Sequence, residues 1–407
     1  MAYSDAIGTR TTDLTQAMKV YYDRKLLGLA EPVMVADKLA DHSRDIPQKE
    51  GKIVNFTRYI PLDKITTETP EGTNPTAVEL KAFEFEKTVA KYTNSIRLTE
   101  EIQLFSYCQP LDNAVQLQGV NMGESINYQY RKAMALGFYP MRVDNSSTYG
   151  FTGVVTTAPS TTTITAALLV QTDDWWNDGL IIFTSGRNAG YAGLVTDFDA
   201  TSDMVTFEPA LKDAPAVGDT FRIVVTTGLA ATNIVTGSAV ERAVAILKHN
   251  KAPKYDGKYY AGIMSPFVTY DFMQDSAWVN AQHYASPEAI KDGELGKWGG
   301  VRFWEDTEAW TELITDAGAH ADPQDAGFGC YSAAGTINHT PIFGKHAYAG
   351  TRIAGVKDKL IVKVSGPQDT SNATNAFSLV SWRVFFVAVP LNGLFGVNIL
   401  SGASTVA

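Results

Sequence analysis

"GKIVNFTRYIPLDKITTETPEGTNPTAVELKAFEFEKTVAKYTNSIRLTEE", Gly51 to Glu101, is the stretch whose reading decides the fold. Val54, Phe56, Arg58 and Ile60 alternate along its first limb. Phe83, Phe85, Lys87 and Val89 alternate along the return, followed by Tyr92, Ile96 and Leu98 on the other phase. Between the limbs lies a tip of Thr, Glu, Pro, Gly and Asn. Alternation at period two, bounded by turn residues, is a strand signal. The spacing predicts one long hairpin whose arms are several times the usual ~5–6 residues. A two-stranded ribbon has no second layer to bury its apolar face and is marginal in water by itself. Such a hairpin either folds back onto its own domain or lies on a neighbouring copy of the chain. An arm of roughly twenty residues at ~3.3 Å per residue reaches ~60 Å, wider than an ordinary compact domain. The segment alone leaves both readings open.

The whole chain bounds the choice. Its 407 residues suffice for about two or three domains. Hydrophobic residues make up 45%, enough for packed cores. Charged residues make up 19%, below the roughly 25% of typical soluble domains. Thr, Ser and Asn supply the remaining polarity, which suits extensive protein contact. A net charge of −10 and a pI near 5.2 argue against a basic face that coats nucleic acid. The cysteines, Cys108 and Cys330, sit in no CxxC or Cys/His cluster, so neither a zinc site nor a disulfide framework is expected. That usage fits a reducing cytoplasm. "MAYSDAIGTRTTDLTQAMK" lacks a basic region followed by an apolar core, so no signal peptide is expected. The most apolar stretch, "SWRVFFVAVPLNGLFGVNIL", carries Arg383, Pro390 and Asn392 and reads as buried strands, not a membrane span.

Upstream of the hairpin, residues 1–12 read as a polar arm. Thr12 or Asp13 caps a helix running to Ala30, with Leu14, Met18, Tyr21, Tyr22, Leu26 and Leu29 at helical spacing. Glu31-Pro32 ends it. Downstream, Gln109–Gly137 reads as one long helix, with Pro110 in its first turn and Gly137 as its C′ stop. Leu111, Val115, Met122, Ile126, Tyr130 and Ala133 form its apolar face. Gly119 and Gly123 each cost about 1 kcal/mol relative to Ala, which suggests that they allow a close approach. From Ser146 to Val225, short β runs ("GFTGVVTT", "GLIIFTS", "AGLVTDF", "DMVTFEPAL", "DTFRIVVTT") recur between turn signals. That pattern predicts a small all-β sandwich or barrel inserted between helical segments. A helix returns with Val240, Val244 and Leu247 on one face and Ser238 as its cap. Tyr260–Met264 reads as a buried strand, and Ser265-Pro266 starts a helix carrying Phe267, Tyr270 and Met273. Strands and loops alternate from Trp298 to the end, and no internal repeat is visible.

Candidate chemistry is sparse. "DDWWNDG" places Asp173, Asp174 and Asp178 beside Trp175 and Trp176. Aromatics stack on sugars and paired carboxylates do acid–base work. The preferred reading is a turn whose tryptophans pack into a small β core. "DFDATSD" (Asp197, Asp199, Asp203) lacks the glycine and terminal glutamate of a calcium loop and reads as a turn. His42, His249, His283, His320, His339 and His346 form no HExxH pair, and Pro341 and Gly344 break the segment between the last two. There is no GxSxG or Walker motif, and "GRNAG" reads as a turn. No catalytic residue, metal or cofactor is expected.

The order arm, helix, long hairpin, long helix, then helix–strand–Ser-Pro–helix resembles the Hong Kong 97 fold of tailed-phage major capsid proteins, an α+β architecture. "KVYYDRKLLGLAEP", "IPQKEGKIVNFTRYIPL", "TETPEG" and "YTNSIRLTEEI" are similar, more closely, to the coat-protein family typified by coliphage N-four. The resemblance covers Thr15 to about Gly137 well and Ser238 to Leu400 loosely.

It implies an N-terminal arm and helix (1–50), an extended E-loop hairpin (51–100), a spine helix in a peripheral domain (101–145) and an inserted β-sandwich or barrel (146–228). An axial domain and return (229–385) and terminal peripheral strands (386–407) complete it. It further implies a non-enzymatic coat protein whose pentamers and hexamers form an icosahedral head around double-stranded DNA, without sequence-specific binding and without a membrane. The hairpin would then lie on the adjacent subunit, with Thr67, Glu68, Thr69, Glu71 and Gly72 at its tip meeting a neighbour. The shell would be assembled in the host cytoplasm and found in the virion. Other implied partners are a separate scaffolding protein, a portal and a decoration protein. Lys64, Lys81 and Lys87 form no recognisable set for the isopeptide crosslinking known in one branch of the fold, so contacts are expected to be non-covalent. The alternative is a carbohydrate-binding or hydrolytic virion protein acting through the β insertion; Trp175, Trp176 and Asp178 belong to the surface or the core of that insertion.

Overall fold

Runs of Val, Ile, Phe and Thr at period two set most of the elements, because branched and aromatic side chains fit a pleated, half-buried surface. The computed structural model describes residues 35–41, 45–49, 51–59, 62, 64–74, 77–80, 82–107, 110–157, 159–167, 171–275, 296–307, 309–313, 336–354, 359–363 and 376–404. The expected arm and helix before Ala30 lie outside these residues. In chain order the strands are β1 (Ile53–Tyr59), β2 (Ala82–Thr88), β3 (Ala90–Thr99), β4 (Tyr139–Arg142), β5 (Gly150–Val154), β6 (Thr163–Thr165), β7 (Leu180–Phe183), β8 (Ala192–Asp199), β9 (Met204–Glu208) and β10 (Thr220–Val224). They continue as β11 (Tyr260–Met264), β12 (Lys297–Trp298), β13 (Val301–Glu305), β14 (Thr311–Leu313), β15 (Thr336–Phe343), β16 (Tyr348–Arg352), β17 (Lys359–Lys363), β18 (Phe377–Pro390) and β19 (Gly396–Ser401). The helices are Val35–Leu39, Glu100–Phe105, Pro110–Gly137, Gly237–His249 and Pro266–Met273, with a 3-10 turn at Gly393–Phe395. The architecture is mixed α+β.

The chain divides into two compact units. The first draws its described residues from Met1–Lys52, Thr88–Tyr130 and Gly350–Ala388. Its sheet has the order β16-β18-β17, with β3 also paired to β18. β3 and β18 run antiparallel from Phe377↔Thr99 to Phe386↔Ala90. Ser378, Val380, Trp382, Val384 and Phe386 point to one buried face, as strict alternation requires. Part of the long helix lies on that face: Leu111, Ala114 and Val115 pack with Leu98, Ile102 and Val380. Trp382 Nε1 and Asn94 Nδ2 both donate to Asn121 Oδ1, at 3.1 and 2.9 Å. The helix is not held by close glycine contact at Gly119, where an added Cβ would meet nothing within 4 Å.

The second unit takes Ile53–Lys87, Arg131–Ala349 and Val389–Ala407. Its largest sheet has the order β12-β13-β11-β15-β19-β4, with β14 on β15. Val240, Val244 and Leu247 of helix Gly237–His249 pack onto it with Met264, Phe303, Ile342, Val397 and Ile399. That helix starts two residues earlier than its sequence suggests. Thr236 occupies the cap position without a side-chain bond to a helix N–H, its Oγ1 lying 3.0 Å from Ser238 Oγ, and the Asp275 carboxylate accepts the Gly237 N–H at 2.8 Å instead. Ser265 does cap the helix after it, accepting from Val268 N, with Pro266 in the first turn. Val268 and Phe272 face the core there, while Tyr270 and Met273 are exposed. Gly137, the last residue of the long helix, serves a close approach and not a left-handed turn, since an added Cβ would lie 2.4 Å from Pro390 Cβ.

A six-stranded antiparallel sheet, β5-β10-β7-β8-β9-β6, comes from the continuous stretch 150–224. Phe183, Phe198, Phe207, Phe221 and Trp176 fill its own core. Arg142 ties the entry of this stretch to its exit. Its guanidinium bonds Asp144 at 2.7 Å and donates to the carbonyls of Val225 and Thr227 at 2.6 and 2.8 Å. It also lies 4.6 Å from the centre of the Tyr149 ring. The bond from Arg142 holds the Asp144 carboxyl below its usual range.

The hairpin departs from its sequence reading. β1 and β2 are seven residues each, and no described residue between them is in a strand. β3, read as the end of the return arm, pairs with β18 and not with β1. The physical reason lies in the phase change between Val89 and Tyr92. A one-residue shift moves side chains to the opposite face, so the chain leaves the ribbon and joins another sheet. Pro61, Pro70 and Pro75 also remove ladder donors from the tip.

Two outcomes test this packing. Arg142→Ala should cost about 3–5 kcal/mol in denaturant unfolding, because it leaves Asp144 and two carbonyls without their buried partner. With its folded-state pKa depressed, Asp144 contributes stability that is complete above the ordinary carboxylate pKa of about 3.9 and lost as pH falls through the lower folded value. The Arg142→Ala penalty, followed against pH, should therefore shrink only in acid.

Candidate interaction surface

Exposed apolar side chains mark the candidate surface. Ile53, Tyr59, Leu62, Ile65, Val78 and Leu80 are all exposed, Ile65 at 84%. They fall within one hairpin, and soluble chains rarely expose clustered apolar surface of this kind without a use for it. The hairpin has two zones. At the root, Val54, Phe56 and Phe83 are buried, and Phe56 stacks on Phe85 with ring centres 5.3 Å apart. Beyond Tyr59, every described residue up to Leu80 is exposed.

The root is fixed by polar contacts on both strands. Arg58 donates from its guanidinium to the Ala189 carbonyl and lies 5.2 Å from the Phe83 ring centre. Burial pulls its pKa down to about 10, so it stays charged at neutral pH. On β2, Glu84 accepts from Lys212 Nζ at 3.1 Å and from Asn55 Nδ2 at 3.5 Å. The Lys212 hydrogen bond, ahead of the Asn55 bond, keeps the Glu84 carboxyl below its usual range.

The tip residues expected to meet a neighbour, Thr67, Glu68, Thr69, Glu71 and Gly72, are exposed. A turn closes there, with Thr73 N donating to Pro70 O at 3.2 Å, and Gly72 adopts φ +82°. Leu62, Ile65, Val78 and Leu80 flank that tip and carry more apolar surface than it does. They stand in "IPLDKI" and "AVEL", on either side of the charged and turn residues of the tip. A second exposed apolar group, Leu104, Phe105 and Tyr107, lies at and after the end of helix Glu100–Phe105.

The remaining candidates are structural in placement. Trp176 is 2% exposed, inside the core of the six-stranded sheet. Trp175 is half-buried and stacks on Tyr149 at 5.8 Å, so one ring face is already covered. Asp178 is exposed at φ +59°, and Asp174 accepts from Asn177 Nδ2 at 2.8 Å. Asp199 accepts from Thr201 N and Ser202 Oγ at 2.8 and 2.7 Å, closing a turn. His339 is buried, 2.7 Å from Asn398 Nδ2. Among the described residues, no group of three or more His, Cys, Asp and Glu could hold a metal ion, and no helix is long and apolar enough to cross a membrane. Cys108, Cys330, His42, His283 and His320 lie outside those residues.

No protein-family model and no curated protein matches the sequence. Solved structures do match its fold. The capsid of cyanophage P-SCSP1u aligns with a TM-score of 0.55 at 12% identity, over 98% of this chain and 96% of that one. The capsid of cyanophage Pam1 aligns with a TM-score of 0.52 at 16% identity, over 88% and 86%. The capsid of Ralstonia phage GP4 aligns with a TM-score of 0.52 at 11% identity, over 91% and 88%. The likeness spans most of the chain, and the chain has the fold of phage capsid proteins.

The two zones of the hairpin should separate in mutagenesis of the unassembled chain. Ile65→Asp should leave unfolding free energy within about 0.5 kcal/mol, as expected at an exposed position. Phe83→Ala at the root should cost about 3–5 kcal/mol.

Proposed function

We propose that this chain is a structural major capsid protein whose copies, as pentamers and hexamers, close an icosahedral head around a double-stranded DNA genome. The observation that carries the reading is a fold shared with phage capsid chains over nearly the full length of both. The uncovered apolar limb supports it, since a second copy would supply the layer that a two-stranded ribbon lacks. On this reading β1, β2 and the segment between them form the E-loop, Pro110–Gly137 is the spine helix, and the stretch 146–228 is an inserted β domain. The net charge of −10 suits a shell that encloses DNA without gripping it, because binding through phosphates needs a basic face. A separate scaffolding protein, a portal and a decoration protein would complete the head. The role needs no catalysis. The carbohydrate-binding alternative requires an open aromatic platform, and the burial of Trp176 and the stacking of Trp175 give it no support.

Light scattering and negative-stain microscopy of the purified chain, alone and in crowding buffer, test the proposal. Uniform shells, or isolated pentamers and hexamers, are the expected products. A monomer whose Ile60–Pro75 segment resists protease would contradict it, because that hairpin would be covered by its own chain. The double variant Leu62→Asp, Ile65→Asp should lower the yield of assembled particles about tenfold or more, since buried unpaired charge is costly, while its circular dichroism stays that of the parent chain.

A further inference from the structure

The hairpin root is held by the six-stranded sheet of its own chain, and the contact is built rather than incidental. Arg58 of β1 reaches the Ala189 carbonyl, 131 residues away in sequence. The receiving turn, Gly186–Tyr191, joins β7 to β8 and is fixed on two further sides. Gly190 N donates to Phe183 O at 2.7 Å, and Gly190 O accepts from Gly393 N at 2.8 Å. Gly190 itself has φ +80°, and an added Cβ would stand 2.7 Å from Arg58 Nη1 and 2.2 Å from Asn392 Oδ1. The absence of a side chain is therefore what admits the guanidinium. The second strand has its own anchor, since Glu84 of β2 meets Lys212 from the loop after β9. A ribbon tethered at one point can swing about it. Tethers on both strands, to two separate loops of one sheet, fix its direction.

We propose that the Gly186–Tyr191 turn is an intrachain brace and that Arg58 is the positioning residue that sets the direction in which the limb beyond Tyr59 leaves the subunit. The Lys212–Glu84 pair is exposed and contributes little by itself, so the orienting load falls on Arg58. Its planar fork makes a charge-assisted bond to the Ala189 carbonyl while the guanidinium carbon lies over the Phe83 ring. A limb aimed before a partner arrives loses less freedom on docking, which favours association. That consequence rests on the capsid reading, whereas the brace itself does not.

Hydrogen exchange on the unassembled full-length chain tests the brace without needing a shell. In the parent chain the amides of β1 and β2 should exchange much more slowly than those of residues 64–74. Arg58→Ala should speed exchange in β1 and β2 about tenfold or more, as loss of a charged hydrogen bond implies, with β7 to β10 unchanged. Arg58→Lys, which keeps charge and stem but not the fork, should fall between. Exchange within about twofold of the parent in Arg58→Ala would overturn the brace. So would a parent root that exchanges as fast as the tip, an outcome readable even if Arg58→Ala fails to fold. A monomer whose Ile60–Pro75 segment resists protease but whose root loosens on Arg58→Ala refutes the capsid reading alone. Shells from a chain whose root ignores Arg58 refute the brace alone.

Discussion

A two-stranded ribbon cannot bury its own apolar face, and that constraint organises the hairpin between Ile53 and Thr88. Its root meets the constraint inside the chain, with Val54, Phe56 and Phe83 buried. Its outer limb does not, and Leu62, Ile65, Val78 and Leu80 stand in solvent. Covering those four side chains is worth ~6–12 kcal/mol at ~1.5–3 kcal/mol each. Association costs about 4–15 kcal/mol. One limb on one neighbour is therefore near break-even. Contacts that close around a ring or shell gain because each copy engages several others at once, so later contacts form at high effective concentration.

Polar side chains placed far apart in sequence do the tying. Arg142 joins the two ends of the stretch 146–228 through Asp144, Val225 and Thr227. Arg58 joins the hairpin to the turn between β7 and β8. In both cases a guanidinium meets backbone carbonyls, which cannot be lost by substitution. Each lies beside an aromatic ring, Tyr149 or Phe83, whose electron-rich face also favours the cation. Such links let an appended sheet stay registered with the body that carries it.

What was legible in the sequence followed periodicity. The long helix showed through Leu111, Val115, Ile126 and Tyr130 on one face, and the structure starts it at Pro110 and ends it at Gly137. The β runs between Ser146 and Val225 became β5 and β7 to β10, while the three-residue β6 was too short to signal itself. The hairpin was overextended because alternation continues through Val89 while its phase changes, and a phase change alone does not name the new partner strand. Turn chemistry makes the tip conspicuous in the sequence, whereas nothing in the spacing of Leu62 and Ile65 marks them as exposed. Arg58 shares the phase of Val54 and Phe56, but nothing in the sequence marks it as an anchor, because its carbonyl acceptor has no side-chain signature.

The central claim is that the hairpin's outer limb is covered by another copy of the chain. Lys64 is exposed in that limb and gives a chemical handle on it. Equal amounts of nitrogen-14 and nitrogen-15 chains, co-assembled and treated with a short amine-reactive crosslinker, would report which chain Lys64 touches. Mixed-isotope crosslinks from Lys64 in assembled particles, absent from the dispersed chain, are the expected result. Crosslinks from Lys64 joining only residues of the same isotope would mean that the limb is covered by its own subunit, and the account would fail.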